Sequence, residues 1–256
     1  MLTCVKYIQA QVIQAAGSAK GSSCKPKNIT VPHEILHSSL LLWDKGYNRI
    51  TQEATMIVGA GTEATGAVLS ITTFYLLADP VKMRRLKQEL KSLGPSGPCN
   101  LLSYQQLSAC PYLGASISEG LRLSKESNRM PRINHTDPTY YRDWVIPPHT
   151  AISMSLRDLH LDAFVFENPR QFQPERWLDG SSKKDLERFL VPFGKGSRGC
   201  VGMHLALVEL YLAIGNLFYR LHMELYDTTE EDIRLTHDFF SLDASKEAQG
   251  LRVLIR

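Results

Sequence analysis

Residues 193–202 read F-G-K-G-S-R-G-C-V-G, a glycine-rich loop that leads into an apolar helical pattern from about residue 200 to 220. The loop delivers Cys200 to the N-terminus of the predicted helix, where the helix dipole and free backbone N–H groups stabilise a thiolate. Its glycines let the backbone approach a large flat group, Phe193 offers an aromatic face, and Arg198 offers a cation to an anionic group. A buried structural cysteine after a glycine-rich turn would explain the same pattern, so this alternative stays open.

The loop resembles the haem-binding signature of the cytochrome P450 family, F-x-x-G-x-[RH]-x-C-x-G. All fixed positions are matched, by Phe193, Gly196, Arg198, Cys200 and Gly202. The resemblance implies that Cys200 is the axial thiolate ligand of the iron of haem b and pushes electron density toward O–O cleavage. It also implies that Phe193, Gly194 and Gly202 line the haem and that Arg198 pairs with a haem propionate.

Two segments upstream of the loop also resemble motifs of the family. Glu119 and Arg122 form E-x-x-R within a predicted helix over residues 112–123, and their i, i+3 spacing puts them on one helix face. Residues 174–177, P-E-R-W, resemble the family's P-E-R-F element. The resemblance implies that Glu119, Arg122 and Arg176 form a buried charge triad that locks the segment before the loop. This role is structural rather than chemical, and removing one partner of a buried ion pair costs about 3–5 kcal/mol.

Helical periodicity runs from about residue 49 to 78 and predicts one long, largely apolar helix. Within it, residues 60–65, A-G-T-E-A-T, resemble the family's oxygen-binding motif [AG]-G-x-[DE]-T-[TS]. The resemblance implies that Gly61 opens a groove for dioxygen and that Glu63 relays protons together with an adjacent alcohol.

The alcohol position of this motif departs from the family pattern. Ala64 follows Glu63 directly, and Thr65 lies about 100° further round the helix, away from the same groove. The hydroxyl of Thr62 or Thr65, a substrate hydroxyl or an ordered water then has to replace the missing alcohol, or the reaction is uncoupled or driven by peroxide. Glu63, Thr62 and Thr65 are therefore the candidate catalytic residues.

Further haem and substrate contacts are implied by the resemblance. Arg132 sits where family members place a strand arginine that pairs with a propionate, although Arg129 is equally close in sequence. The hydrophobic residues expected to face the substrate are Ile57, Val58, Met130, Ile133, Phe239 and Phe240. They indicate an apolar substrate of medium size.

The composition is that of an ordinary globular protein. With 256 residues, 29 Lys+Arg, 26 Asp+Glu and a net charge of +3, the sequence gives no argument for nucleic acid or an anionic membrane surface as a partner. Five scattered cysteines without a C-x-x-C pair favour a reducing compartment over a disulfide framework. No stretch supplies the roughly 20 apolar residues that a spanning helix needs, so we expect no transmembrane segment in this chain.

Residues 33–37, H-E-I-L-H, match the H-E-x-x-H pattern of zinc proteases. Pro32 marks a helix start, so the first histidine and the glutamate fall in an exposed first turn. The extended protease pattern also fails, because Leu40 and Trp43 stand where it requires Gly and His. A zinc metalloprotease is thus a distant alternative.

The sequence predicts a mainly α chain with small β-sheets that forms a single haem-binding domain over residues 1–256. Family members usually carry a further N-terminal half, so the resemblance implies the C-terminal part of the P450 fold with that half absent. We expect leading helices and a loop over residues 1–48, the oxygen-groove helix over 49–78 and the E-x-x-R helix over 112–123. A meander with the cysteine loop follows over 164–202, and a final helix with C-terminal strands over 203–256.

The expected function is that of a haem-thiolate monooxygenase, which inserts one oxygen atom from O2 into an apolar small molecule. Residues 135–150 and the cysteine loop resemble those of fungal family members that act in secondary metabolism. The resemblance also implies that electrons come from NADPH through a P450 reductase-type partner. The alternative is a truncated, catalytically impaired or inactive haem-protein remnant, because half a fold would leave the haem pocket open to water. Family members usually sit on the endoplasmic reticulum membrane, but without their anchor we expect a cytoplasmic or peripheral location.

Overall fold

Helices dominate the described chain, and its strands pair into small two-stranded antiparallel sheets. The computed structural model describes residues 6–10, 12–13, 30–94, 100–124, 131–239, 241–244 and 247–256. Its α-helices beyond residue 30 are α1 (Val31–His37), α2 (Tyr47–Ala78), α3 (Pro80–Lys91), α4 (Tyr104–Ser108), α5 (Pro111–Leu123), α6 (Leu156–His160), α7 (Gly180–Glu187) and α8 (Met203–Arg220). Short 3-10 helices cover Leu42–Lys45, Pro174–Trp177, Gly196–Arg198 and Glu230–Asp232. The expected fold class, mainly α with small sheets, is confirmed.

The strands pair in two nested sets, in each of which a hairpin lies between the two strands of an outer pair. They are β1 (Arg132–Ile133), β2 (Thr139–Tyr141), β3 (Trp144–Ile146), β4 (Ala151–Ile152), β5 (Met223–Leu225), β6 (Leu235–Phe239), β7 (Ser241–Ala244) and β8 (Val253–Ile255). β2 pairs with β3 and β6 with β7 as hairpins, whereas β1 pairs with β4 and β5 with β8 across longer connections.

The chain divides into two compact units, residues 1–63 and 64–256, and the boundary falls inside α2. In the first unit, residues 6–10 and 12–13 are helical. They bury Ile8 and Val12 in a small apolar cluster with Ile50 and Ala54 from the start of α2. This cluster is the core of the first unit within the described residues.

The second unit contains the main core, to which α2, α3, α5 and α8 each contribute apolar residues. Leu76, Leu86, Leu113 and Ile214, one from each of these helices, are fully buried in it. Gly120 lets α5 approach α2, because a Cβ at this position would overlap the Oγ1 atom of Thr72. Since Gly120 directly follows Glu119, this close approach fixes the position of the E-x-x-R segment against α2.

By length and composition alone, α2 is the one described helix that could cross a membrane. Core helices of soluble proteins pass the same test, and the C-terminal part of α2 buries Val68, Ile71 and Leu76 among other side chains of the second unit. The expected absence of a transmembrane segment stays a prediction.

Helix α5 is capped at its N-terminus by a side chain from α3. The N-cap residue Cys110 makes no side-chain capping hydrogen bond. Instead, the two carboxylate oxygens of Glu89 accept hydrogen bonds from the backbone N of Tyr112 at 2.9 Å and of Leu113 at 3.0 Å. The negative charge also lies at the positive end of the helix dipole. Burial and then the Glu89 charge raise the pKa of the Cys110 thiol to about 11.

We expect Glu89→Ala to lower the free energy of unfolding by about 1–2 kcal/mol, because two N–H groups of α5 lose their acceptor. Urea denaturation followed by circular dichroism measures the change. The control is Gln88→Ala, an exposed neighbour on α3, which should stay within about 0.5 kcal/mol of the unmodified chain. Equal losses in the two variants would show that Glu89 does not cap α5.

Candidate functional site

The loop around Cys200 is a tight turn held by its own backbone. The N–H of Cys200 donates to the carbonyl of Phe193 at 2.8 Å, and that of Gly199 donates to the carbonyl of Gly196 at 3.0 Å. Gly194 and Gly196 have φ values of 67° and 78°, in the left-handed region that glycine adopts at little cost. These hydrogen bonds within the loop fix the backbone position of Cys200.

The thiol of Cys200 is free and exposed, which excludes the buried structural cysteine considered from the sequence. Helix α8 begins at Met203 with Gly202 as its N-cap, so Cys200 lies just before the helix instead of in its first turn. A Cβ on Gly202 would lie 4.0 Å from the sulfur, so this glycine leaves the thiol side of the turn uncrowded.

Exposed apolar residues follow Cys200 in the sequence, one in the loop and one in the first turn of α8. The side chains of Val201 and Leu205 are 100% and 61% exposed. A Cβ on Gly194 or Gly196 would meet no atom within 4 Å, so both glycines of the loop border open space. A thiolate donor on an open and partly apolar surface fits a large planar group ligated through sulfur, as haem is. Of the other predicted contacts, Phe193 is half-buried against the main core and Arg198 is exposed at the end of its 3-10 helix.

Glu119 lies at the centre of a buried charge cluster. Its carboxylate accepts hydrogen bonds from Arg122, at 2.9 Å from Nε and 2.8 Å from Nη2. Nε of Arg176 donates to the same carboxylate at 3.2 Å. The Glu119 and Arg122 side chains are fully buried, and that of Arg176 is 8% exposed. The structure therefore brings the three residues of the predicted triad together.

Two further donors to Glu119 were not identified from the sequence. Nε1 of Trp177 donates to Oε2 at 2.9 Å, and the backbone N of Gln173 donates to Oε1 at 2.9 Å. Trp177 stands where the P-E-R-F element has a phenylalanine. Because an indole carries an N–H that a phenyl ring lacks, the P-E-R-W variant was a readable signal for this contact.

Arg122 connects the charge cluster to the segment that precedes the cysteine loop. Its Nη1 donates to the carbonyls of His160 and Pro169, each at 2.7 Å, and its Nη2 donates to that of Gln171 at 3.2 Å. His160 is buried, and its Nε2 accepts a hydrogen bond from the backbone N of Val191 at 3.0 Å. A chain of buried hydrogen bonds thus runs from α5 to the residues just before the loop. No pattern in the sequence marked His160 for this position.

The predicted oxygen-groove residues lie on α2, on both sides of the unit boundary. Gly61, Thr62 and Glu63 belong to the first unit and are exposed, whereas Thr65 belongs to the second and is half-buried. A Cβ on Gly61 would meet no atom within 4 Å. The catalytic roles of Glu63, Thr62 and Thr65 stay predictions.

The structure describes only some of the residues predicted to contact the haem propionates or the substrate. Arg132 and Ile133 form β1, are exposed, and pair with β4. Ile57 and Val58 are exposed on α2. The described part of the chain does not include Arg129, Met130, Phe240 or the side chain of Phe239.

The H-E-x-x-H segment forms α1, with Pro32 in its first turn. The imidazole rings of His33 and His37 lie 4.3 Å apart. Among the described residues, no group of three or more His, Cys, Asp or Glu side chains is placed to hold a metal ion. Two histidines alone do not make the three-ligand site of a zinc protease.

Comparisons with known proteins identify the same family as the sequence motifs. The family model described as Cytochrome P450 matches residues 46–248. The cytochrome P450 monooxygenase sdnE of Sordaria araneosa is 40% identical over 88% of this chain and 44% of its own length. Conidiogenone synthase PchP450 of Penicillium rubens is 34% identical over 98% of this chain and 49% of its own length. The chain therefore spans about half the length of the curated relatives it matches.

A further relative and a solved structure agree with these matches. Tryptophan 6-hydroxylase fscE of Fusarium equiseti is 36% identical over 87% of this chain and 44% of its own length. A crystal structure of a cytochrome P450 superposes with a TM-score of 0.78 at 19% identity, over 98% of this chain and 56% of that one. The structural likeness shows a shared fold, of which this chain makes up roughly the matched half.

We expect Glu119→Ala to lower the free energy of unfolding by about 3–5 kcal/mol, because it leaves the buried guanidinium of Arg122 without its carboxylate. The yield of folded protein and the urea midpoint measure the loss. The control is Glu224→Ala, which removes a half-exposed ion pair with Arg256 at 3.1 Å and should change stability by at most about 1 kcal/mol. A structural role predicts lost fold, so a stably folded Glu119→Ala variant would contradict it.

Proposed function

Because the chain belongs to the cytochrome P450 family, we propose that it is the haem-thiolate part of a monooxygenase that inserts one oxygen atom from O2 into an apolar small molecule. The observation that carries this proposal is the free, exposed thiol of Cys200 on a hydrogen-bonded glycine turn, which exposed apolar residues follow in the sequence. The fungal monooxygenases among its relatives support a role in secondary metabolism.

The residues present would hold haem b through one thiolate and two cations. Haem, when bound, supplies the activation of O2 that amino-acid side chains cannot provide. Cys200 would ligate the iron, and Phe193, whose carbonyl accepts a hydrogen bond from the N–H of Cys200, packs on the core. Arg198 and Arg132 carry exposed guanidiniums that would pair with the propionates. The buried cluster around Glu119 acts at a distance, by fixing the backbone that leads into the loop.

Glu63 is the proposed proton carrier of the oxygen groove, and its neighbour Ala64 supplies a methyl group where an alcohol is usual. Thr62 or Thr65 then holds the proton beside Glu63, or a water does. The exposed residues Ile57 and Val58 on the same helix are proposed to face the apolar substrate. Electrons come from NADPH through a reductase of the type that serves this family.

This chain alone is proposed to be a poorly coupled enzyme. Its thiol and the neighbouring Val201 and Leu205 are open to solvent in the described structure. Water in such a site weakens the electrostatics and lets protons and peroxide escape, and loose enclosure also costs substrate positioning.

The test of haem ligation is the absorption spectrum of the reduced chain with carbon monoxide. The unmodified protein should show the red-shifted band of a thiolate ligand, and Cys200→His should lose that band, because imidazole is a neutral donor. Cys110→Ala, at the other described cysteine, should keep it. Retention of the band in Cys200→His, or failure of the folded unmodified chain to take up haem, would overturn the proposal.

Coupling is tested by product formed per NADPH consumed, with a reductase added. We expect most reducing equivalents to leave as hydrogen peroxide, because positioned proton transfer is worth about 10²–10⁴-fold and the alcohol beside Glu63 is absent. Ala64→Thr should raise the ratio, since it restores that alcohol. Tight coupling in the unmodified chain would instead show that Thr62, Thr65, substrate or water already supplies the proton.

A further inference from the structure

A cavity of about 250 Å³ in the second unit shares no lining residue with the cysteine loop. Its walls come from the C-terminal parts of α2 and α5, from α6 and the turns after it, and from the 3-10 helix Glu230–Asp232 with the two residues that follow. Ile71, Leu123 and Leu161 supply an apolar side. Arginines supply most of the polar side, so the cavity combines a small apolar wall with an excess of positive charge.

Some of the charged groups in this cavity already have partners. Arg122 is engaged by Glu119 and by three backbone carbonyls. Arg234 donates to Glu231 at 3.0 Å. The carboxylate of Glu230 accepts a hydrogen bond from the hydroxyl of Tyr75 at 3.0 Å. Glu231 is therefore paired with a cation, whereas Glu230 is hydrogen-bonded to a neutral hydroxyl.

Arg157 and Arg170 are the other two arginines of the cavity lining. Within the described ranges, neither guanidinium makes a hydrogen bond or an ion pair, although both line the cavity. Burial lowers the pKa of Arg157 and the charge of Arg170 lowers it further, while Asp158 opposes the shift. Arg157 is half-buried and Arg170 is exposed. An anion that contacts both guanidiniums would offset their mutual repulsion.

We propose that this cavity binds a small organic phosphate, whose dianionic group is held by Arg157 and Arg170. Each planar guanidinium presents a fork of N–H donors that matches two phosphate oxygens, and this makes arginine the residue suited to such groups. The apolar wall receives the organic part, and a cavity of about 250 Å³ accommodates one small ring. The site requires no haem and is independent of the proposed monooxygenase activity.

The test uses phenyl phosphate as the probe, titrated into the full chain at constant ionic strength and followed by calorimetry. We expect saturable binding and a rise in melting temperature, because a ligand that binds only the folded state stabilises it. Arg157→Gln and Arg170→Gln should each weaken binding about tenfold, as the loss of one charge-assisted contact does. Phenol, which has the same ring without the charge, should not bind.

The matched control is Arg188→Gln, which removes an exposed arginine paired with Asp185 at 2.9 Å outside the cavity lining. Its affinity for phenyl phosphate should equal that of the unmodified chain. Circular dichroism verifies that each variant is folded before titration. Absence of saturable binding to the unmodified chain, or an equal loss of affinity in Arg188→Gln, would overturn the proposal.

Discussion

The buried carboxylate of Glu119 is the interaction on which the order of the second unit depends. Five N–H donors converge on its two oxygens, from Arg122 twice, Arg176, Trp177 and the backbone of Gln173. A carboxylate at 0% exposure is tolerated only when it is paired and its lone pairs are occupied, and both conditions hold here. The single negative charge meets two guanidiniums, and backbone carbonyls stabilise the one that is fully buried.

This arrangement joins segments that are far apart in sequence. Glu119 and Arg122 lie on α5, Arg176 and Trp177 lie on the 3-10 helix Pro174–Trp177, and Arg122 reaches the carbonyl of His160 on α6. The imidazole of His160 then accepts from the backbone just before the cysteine loop. Because each of these groups is buried, displacing one leaves a polar atom unsatisfied, and the segments are constrained to move together.

The E-x-x-R pair and the cysteine turn could be predicted from the sequence, because both depend on local spacing. The i, i+3 placement of Glu119 and Arg122 puts them on one helix face, and the glycine pattern around Cys200 specifies a turn that other residues would strain. Helix α8 begins at Met203, slightly later than the predicted start at about residue 200. The 3-10 helix Gly196–Arg198 and the N-cap residue Gly202 occupy positions before it.

Contacts between distant segments could not be predicted in this way. The capping of α5 by Glu89 spans more than twenty residues and leaves no periodic signal. His160 looks like any histidine at the end of a short helix, and only the fold brings it to Val191. The indole N–H of Trp177 was visible as a departure from the family motif, but its acceptor was not.

The structure separates two requirements of haem-thiolate chemistry that are usually considered together. Positioning of the sulfur is local, because the turn around Cys200 closes on its own backbone hydrogen bonds and the Glu119 cluster braces the segment before it. Enclosure is not local, because the described residues leave the thiol of Cys200 and its sequence neighbour Val201 exposed. Under the proposed function, the loop would therefore position the haem ligand without excluding water from it. Since catalysis depends on both, ligation and coupling are expected to respond to different substitutions: ligation to changes at Cys200, and coupling to changes along α2.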